Sequence, residues 1–259
     1  MIIYSWNMLY RNAELERAFD FVSQTDFDLF CLQEVPPVFL ERLKTLPCHI
    51  AFEIDTEKHL PSGKVEPMYN VILSHYPIVS QGIIPFEDYW ATLPMRTRLF
   101  VRFMRPWHFS ETRNRHGLFA DLMKNDTRVR VFNLHLVLLQ PAMRLKEFER
   151  AMLERDPEFP TIVCGDFNTL ERPHITPLNW LLGGKATDTL FYTRERSHIE
   201  RRFVEHSLTN VMRGKATHVL SRSQLDHILV SSVFRVQDAS VLSDRYGSDH
   251  HPIVAEVVQ

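Results

Sequence analysis

Apolar, β-branched runs of strand length recur from one end of the chain to the other: Ile2 to Trp6, Leu29 to Leu32, Val71 to Leu73, Leu118 to Leu122, Val129 to Leu134, Thr161 to Cys164, Ile228 to Val230 and Ile253 to Val257. Turn or polar residues bound most of them, as expected for strands buried in a sheet. Helical spacing fills some of the gaps. Ala13 to Val22 sets Leu15, Ala18, Phe19 and Val22 three and four residues apart, and Pro36 to Leu46 opens with prolines that a first helical turn tolerates. Met143 to Leu153 places Leu145, Phe148, Met152 and Leu153 on one side. Strands and helices interleave early, while short turns such as Lys124-Asn125-Asp126-Thr127 join strand pairs in the middle. This predicts a layered α/β sandwich of mixed sheets rather than a purely parallel fold. No repeat, low-complexity tract or glycine-serine linker breaks the 259 residues, so one domain, 1–259, is expected. Residues 86–115 and 186–222, both rich in arginine, read as loops or insertions.

Polar residues stand just past the ends of the apolar runs. Asn7 follows Ile-Ile-Tyr-Ser-Trp, Glu34 follows Leu-Phe-Cys-Leu-Gln, Asn133 and His135 close Val-Arg-Val-Phe-Asn-Leu-His, and Asp166 and Asn168 follow Thr-Ile-Val-Cys-Gly. Asp226-His227 opens a later run, and Ser248-Asp249-His250-His251-Pro252 precedes the last. In a sheet fold, neighbouring strand ends converge on one rim, where ligand clefts are built. Aspartate, glutamate, asparagine and histidine without cysteine suit a hard cation, Mg²⁺ or Mn²⁺, far better than zinc.

The words Ser-Trp-Asn, Leu-Gln-Glu-Val, Asn-Leu-His-Leu, Gly-Asp-Phe-Asn, Leu-Asp-His-Ile-Leu-Val-Ser and Gly-Ser-Asp-His-His-Pro-Ile, in that order, resemble the endonuclease/exonuclease/phosphatase superfamily over the whole chain. The resemblance implies a four-layered α/β sandwich, two mixed β-sheets packed face to face with helices outside, that hydrolyses a phosphate ester with water and a divalent ion. It implies that Glu34 ligates the metal, with Asn7 and Asp249 as ligands or water-mediated anchors. Asp166 would take the proton of the attacking water and Asn168 would hold that water or a phosphoryl oxygen. His250, oriented by Asp226, would donate to a non-bridging oxygen, and His135 would reach the phosphate from the other side. Asn70, in Tyr-Asn-Val-Ile-Leu-Ser, resembles another word of the superfamily and is expected near the substrate or supporting His135. His227 reads as packing, His251 as a bystander or a competitor of His250, and Cys31 and Cys164 as buried and inert.

Composition narrows the substrate. Thirty Lys+Arg against 32 Asp+Glu give a formal charge of −2, so no chain-wide basic field draws in a polyanion and any such contact must be local. Three widely spaced cysteines fit neither a disulfide framework nor a zinc cluster, and the opening Met-Ile-Ile-Tyr-Ser-Trp-Asn resembles no signal peptide or membrane span. A cytoplasmic protein is the expectation. Between Phe86 and Arg115, Arg96, Arg98, Arg102, Arg105, Arg113 and Arg115 mix with Trp90, Phe100, Phe103, Trp107 and Phe109. Such a mixture can grip phosphates and stack bases, with Arg113 and Arg115 as substrate contacts. Alternatively, Arg-Thr-Arg-Leu-Phe-Val-Arg-Phe alternates as a strand would. Arg194, Arg196, Arg201 and Arg202 are interrupted by Glu195, Glu200 and Glu205, which predicts a salt-bridged surface helix or loop.

The chain lacks the words that mark abasic-site endonucleases, inositol-polyphosphate phosphatases and tyrosyl-DNA phosphodiesterases: Met8-Leu9-Tyr10 follows Asn7, Gln224-Leu225 precedes Asp226, and Val137-Leu138 follows His135-Leu136. The first expectation is a Mg²⁺-dependent nuclease acting on DNA or RNA. The second is a lipid or small-molecule phosphodiesterase similar to neutral sphingomyelinases. A third, a silent phosphate-binding module, is disfavoured because every motif carboxylate is present.

Overall fold

A computed structural model describes residues 1–60, 62–104 and 111–259. The elements run β1 (Ile2–Asn7), α1 (Leu15–Gln24), β2 (Leu29–Val35), α2 (Pro37–Leu43), β3 (His49–His59), β4 (Val65–Ser74), β5 (Ile78–Pro85), α3 (Met95–Met104), β6 (Glu111–Arg113), β7 (His116–Lys124), β8 (Thr127–His135), α4 (Pro141–Met152), β9 (Thr161–Asp166), α5 (Thr176–Leu181), α6 (Arg194–Glu205), β10 (Leu208–Asn210), β11 (Asp226–Ser231), β12 (Arg235–Val241) and β13 (Ile253–Val258). They form a seven-stranded sheet, ordered β12-β13-β1-β2-β4-β3-β6, and a six-stranded sheet, ordered β10-β11-β9-β8-β7-β5.

Ile3, Leu29, Ala51 and Ile72 from the first sheet meet Leu118, Val131, Ile162 and Ile228 from the second in one buried cluster, so the sheets pack face to face. Outside the first sheet, Trp6, Phe30 and Val71 are covered by Ala18 and Val22 of α1 and Phe39 and Leu43 of α2. Outside the second, Phe132 and Val163 are covered by Phe148 of α4 and Ile199 and Phe203 of α6. The result is the four-layered α/β sandwich. The central strands, buried on both faces, are continuously apolar: β2 and β9 expose almost nothing.

Each sheet contains one parallel pair. β1 and β2 are joined through α1, and β8 and β9 through α4. A helical crossover returns the chain in its original direction, so both strands of each pair end on the same rim. The two pairs deliver Asn7 with Glu34, and His135 with Asp166.

Two irregularities adjust this rim. The β2–β4 register slips between Leu32 and Val35, and Glu34 there has φ +55°. The β3–β4 register slips between Ile54 and Thr56, at Asp55. A bulge turns a side chain away from the face that alternation would give it. Asn133 of β8 braces the first bulge from the opposite sheet, donating through Nδ2 to the carbonyls of Leu32 and Val71 at 2.9 Å and accepting from Gln33 Nε2 at 2.7 Å. Asn133 thus cross-ties the sheets beneath Glu34.

The stretch Arg96 to Phe103 forms α3, not an alternating strand. Thr97 and Val101, four residues apart, are its buried positions, and helical spacing serves that inner face as well as alternation would serve a sheet. Arg105, Trp107 and Phe109 lie outside the described residues. In the second arginine-rich stretch, α6 carries ion pairs from Arg196 to Glu171 and from Arg202 to Glu149 and Glu205. Among the described residues, no helix is long and apolar enough to cross a membrane.

Candidate active site

Strand register sets three of the site residues side by side. His135 at the end of β8 pairs with Asp166 at the end of β9, and Asp166 pairs with Asp226 at the start of antiparallel β11. From the first sheet, Asn7 Nδ2 reaches Asp166 Oδ2 at 3.0 Å and Glu34 Oε1 at 3.3 Å, so one amide links the carboxylates of the two sheets. The loop before β13 is tied to the end of β1 by Ser248, whose hydroxyl donates to the Asn7 carbonyl and accepts from the His250 N–H. That loop brings Asp249 and His250 to the rim.

Asp166 is buried between two histidines. His250 Nε2 lies 3.7 Å and His135 Nε2 3.9 Å from Asp166 Oδ2. Each histidine is held at Nδ1 by its own buried carboxylate: His250 by Asp226 at 2.9 Å, His135 by Asp55 at 2.6 Å. A carboxylate only accepts, so Nδ1 carries the proton in both rings. Burial works against a charged imidazole, but Asp226 and Asp166 together push His250 up to about 10. Asp55, with Glu34 and Asp166, likewise overcomes burial and pushes His135 up to about 9. Both rings are thus biased toward the protonated, donating form. Burial foremost, then Asp226, raises the Asp166 carboxyl above its ordinary value, against the two histidines. Its Oδ1 accepts the Asn168 N–H at 2.8 Å, and Asn168 Nδ2 is anchored on the Leu136 carbonyl. Asn168 has φ +53°, a strained conformation of the kind that gathers at functional sites.

Asp55 was not anticipated from the sequence. Asn70 is buried and does not line the cleft; its amide donates to Asp55 Oδ1 at 3.3 Å and to the His116 carbonyl. Asn70 thus acts on His135 through Asp55. Exchange of Asp55 for asparagine keeps an acceptor but removes the charge that holds His135 cationic. The expected result is a fall in kcat of about tenfold to a hundredfold, the scale of a misplaced catalytic group, with little change in Tm. Unaltered kcat would separate Asp55 from the chemistry.

Glu34 and Asp249 offer oxygen donors for a divalent cation; Asn7, expected as a further ligand, turns its Nδ2 toward Glu34 and gives its Oδ1 to the Leu9 N–H at 3.0 Å. Glu34 takes the Tyr10 N–H at 3.1 Å on Oε2. Burial tends to raise its pKa, but Lys58, His135 and that N–H hold it below the ordinary value, with Asp249 opposing. Asp249, despite burial, is drawn down to about 2 by His218 and His250, and its Oδ1 is a buried atom without a protein partner. Two mutually repelling, ionised carboxylates and an orphaned oxygen fit a hard cation of the Mg²⁺ or Mn²⁺ type. His218, also unanticipated, lies 3.4 Å from Asp249 Oδ2, and its ring packs 4.8 Å from that of His250.

These groups open into a cleft of about 530 Å³. Glu34, His135, Asp166, Asn168, Asp249 and His250 line its floor, with Arg11 and Lys58 at one side, and Val137, Leu138, Leu139, Leu170, Ile175, Leu178 and Leu225 form an apolar wall. Arg115 reaches the cleft but not as a free substrate clamp. Its guanidinium is buried, paired with Glu147 at 3.2 Å and donating to the His135 carbonyl at 2.7 Å, so it props the end of β8. Arg113 does not line this cleft: it is exposed on β6 and lines an adjoining cavity of about 460 Å³ that shares Tyr89, Thr112 and Arg115 with it. His251 turns to the Leu242 carbonyl and His227 stacks on Phe167 at 4.5 Å, which leaves His250 as the ring facing Asp166.

A family model described as the endonuclease/exonuclease/phosphatase family matches residues 4–250. No curated protein matches the chain. Among solved structures, the mannosyl-6-phosphatase of Bacteroides thetaiotaomicron VPI-5482 is 18% identical, with TM-score 0.64 over 100% of both chains. D. rerio TDP2 complexed with single strand DNA product is 15% identical, with TM-score 0.63 over 100% of this chain and 99% of that one. The human Nocturnin catalytic domain with bound sulfate is 16% identical, with TM-score 0.61 over 100% of this chain and 93% of that one. At these identities the likeness shows a shared fold.

Proposed function

Because the chain belongs to the endonuclease/exonuclease/phosphatase family, we propose that it is a divalent-metal-dependent hydrolase of phosphodiesters that acts by direct attack of water. The observation that carries the reading is the buried Asp166 carboxylate between two imidazoles, each fixed by its own carboxylate. A phosphodiester repels nucleophiles with its own negative charge, so positive donors must stand around it before water can attack. A divalent cation held by Glu34 and Asp249, with Asn7 anchoring Glu34 beside it, would supply positive charge to the phosphoryl oxygens.

The protein's own groups account for the remaining steps. Asp166, made more basic by burial, accepts the proton of the attacking water while Asn7 and Asn168 hold its carboxylate and the water in place. As the new phosphorus–oxygen bond forms and the ester bond breaks, charge builds on the non-bridging oxygens, and the leaving oxygen departs with the bond pair as an alkoxide that takes a proton from solvent. His250 and His135 meet that charge with Nε2–H donors, their orientation set in advance by Asp226 and Asp55. The family match over residues 4–250 supports one catalytic domain. Cys31, Cys48 and Cys164 are all free thiols, which supports a reducing compartment such as the cytoplasm. A nucleic-acid substrate draws support from the DNA product held by D. rerio TDP2, which has the same fold.

The reading is tested with single- and double-stranded DNA, abasic DNA, RNA, sphingomyelin and an inositol phosphate, in Mg²⁺, in Mn²⁺ and with chelator. Turnover of at least one ester is expected with metal and none with chelator. Glu34→Gln is expected to lower the rate by about 10²–10³. Binding without turnover in either metal would replace the enzyme with a phosphate-binding module.

A further inference from the structure

Three histidines line the cleft among the described residues. His135 and His250 meet the phosphate in the proposed hydrolysis, and His218 is left without a part. Its surroundings hold it firmly. Residues 217 to 219 run beside 249 to 251: the Val219 N–H donates to the Asp249 carbonyl at 3.2 Å, the His251 N–H to the Thr217 carbonyl at 2.8 Å, and His218 faces His250 in an isolated bridge. Thr217, fully buried, accepts the Leu225 and Asp226 N–H groups on Oγ1, each at 3.0 Å. The segment then turns back on itself, with the Arg222 N–H on the His218 carbonyl at 3.0 Å. The backbone around His218 is therefore tied both to Asp249 and to the start of β11.

The bonds of the ring fix its tautomer. Nδ1 accepts the Ser221 N–H at 3.1 Å and lies 2.9 Å from the Ser221 hydroxyl. A backbone N–H only donates, so Nδ1 is the bare nitrogen and Nε2 carries the proton. His218, Asp249 and His250 each bring one possible ligand atom within 4.8 Å of the others, but a protonated Nε2 has no lone pair to give a metal. Its N–H is directed instead to Asp249 Oδ2, at 3.4 Å. A carboxylate is flat, so holding Oδ2 also sets the place of Oδ1, the buried oxygen without a protein partner.

Resting on the reading of Glu34 and Asp249 as ligands of a divalent cation, we propose that His218 is a positioning residue: it holds the Asp249 carboxylate so that Oδ1 is presented to the cation before the cation arrives. A side chain that must be immobilised on binding charges that lost freedom against affinity, and one held beforehand does not. Partners one bond removed from a metal act in this way, orienting the ligand rather than touching the ion. Here the chain of control runs from the backbone outward. The Ser221 N–H selects the tautomer, the tautomer places a donor on Nε2, and that donor fixes Asp249.

The test reads cation binding without turnover. Mn²⁺ is titrated calorimetrically into the full chain, as the parent and as His218→Phe and His218→Gln, and the metal-free Tm of each is measured. Phenylalanine keeps a ring beside His250 but has no N–H, whereas glutamine restores an N–H donor at similar reach. Both lose the acceptor of the Ser221 N–H, so any damage to the turn is common to the two, and a difference between them belongs to the donor. Their metal-free Tm values should agree. His218→Phe is expected to raise the Kd for Mn²⁺ about tenfold to a hundredfold, the scale of losing the outer partner of a metal ligand, and His218→Gln to recover most of that loss. Equal losses in the two variants would mean that the turn, not the donor, matters, and would overturn the positioning role. Parent-like affinity in His218→Phe would overturn it too, while leaving the cation reading intact. A parent chain that takes up no Mn²⁺ removes the cation reading itself, and the role of His218 with it.

Discussion

Asp166→Asn is expected to reduce kcat by about 10²–10⁴, the contribution of a positioned general base, on whichever ester the protein hydrolyses. The substitution preserves shape; the Asn168 N–H and the Asn7 amide bond different carboxylate oxygens, and an amide offers only one, so one of the two contacts is lost while the rest of the site should remain assembled. Stability should move the other way. Burial raises the folded pKa of Asp166 above its unfolded value, so ionisation in the folded state is disfavoured. Below the unfolded pKa this group costs nothing extra; as pH rises past it, the folded protein carries a charge that the unfolded chain would carry more easily. A neutral amide removes that burden. Without metal, Asp166→Asn should melt at the same temperature as the parent or higher at neutral pH, while its turnover is nearly gone. Turnover within a few-fold of the parent, measured with saturating Mg²⁺, would take Asp166 out of the role of base.

The second large effect is expected one residue earlier. Gly165 has φ +140°, and a Cβ built there would lie 1.8 Å from the Leu134 carbonyl oxygen and 2.7 Å from its carbon. Both obstacles are backbone of the neighbouring strand β8, so no side-chain rotation relieves them. Gly165→Ala must push β8 and β9 apart at Leu134, one position before the His135–Asp166 pair that ends the parallel ladder. A loss of more than about 4 kcal/mol is expected, in the range reserved for backbone conflicts and core disruption, and urea denaturation would measure it. Gly214→Ala is the control: it has φ +80° but nothing within 4 Å, so only the conformational penalty of about 1 kcal/mol remains. Equal losses for the two variants would mean that close strand approach is not what Gly165 permits.

The sandwich and most of the rim were legible because apolar strands announce themselves and the polar candidate groups follow directly at their ends. Asn7, Glu34, His135, Asp166, Asn168, Asp226, Asp249 and His250 all stand at such positions, and the structure brings them together. Asp55 was hidden for the opposite reason. It sits inside β3, where a bulge buries both Asp55 and Thr56 in succession, and no alternation marks a residue whose face is set by an irregularity. His218 lies in a loop joined to the loop of His250 by an isolated bridge, with no apolar run to frame it. Edge strands β5 and β12 are largely exposed, so their sequences lack the apolar signature of the centre. In α3 the run Arg-Thr-Arg-Leu-Phe-Val-Arg-Phe satisfies alternation and helical spacing at once, and the surface it packs on decided between them. Arg113 and Arg115 illustrate how type fails to give place: one is exposed beside another cavity, the other is spent on Glu147 and the His135 carbonyl.

Strand β1 lies in the middle of its sheet, with β2 on one side and β13 on the other. Its first partner emerges within about thirty residues, but its second, β13, comes only with residues 253–258, with Ile2 facing Glu256 and Ser5 facing Ile253. During synthesis at about 5–20 residues per second, the opening strand waits many seconds with one edge bare, and Asp249 and His250 are still to come. A partly made chain can neither close that sheet nor assemble the charge around a phosphate. The groups of the proposed hydrolytic site are thereby brought together only once residues 249 and 250 have been made, and until β13 follows them one edge of β1 stays bare.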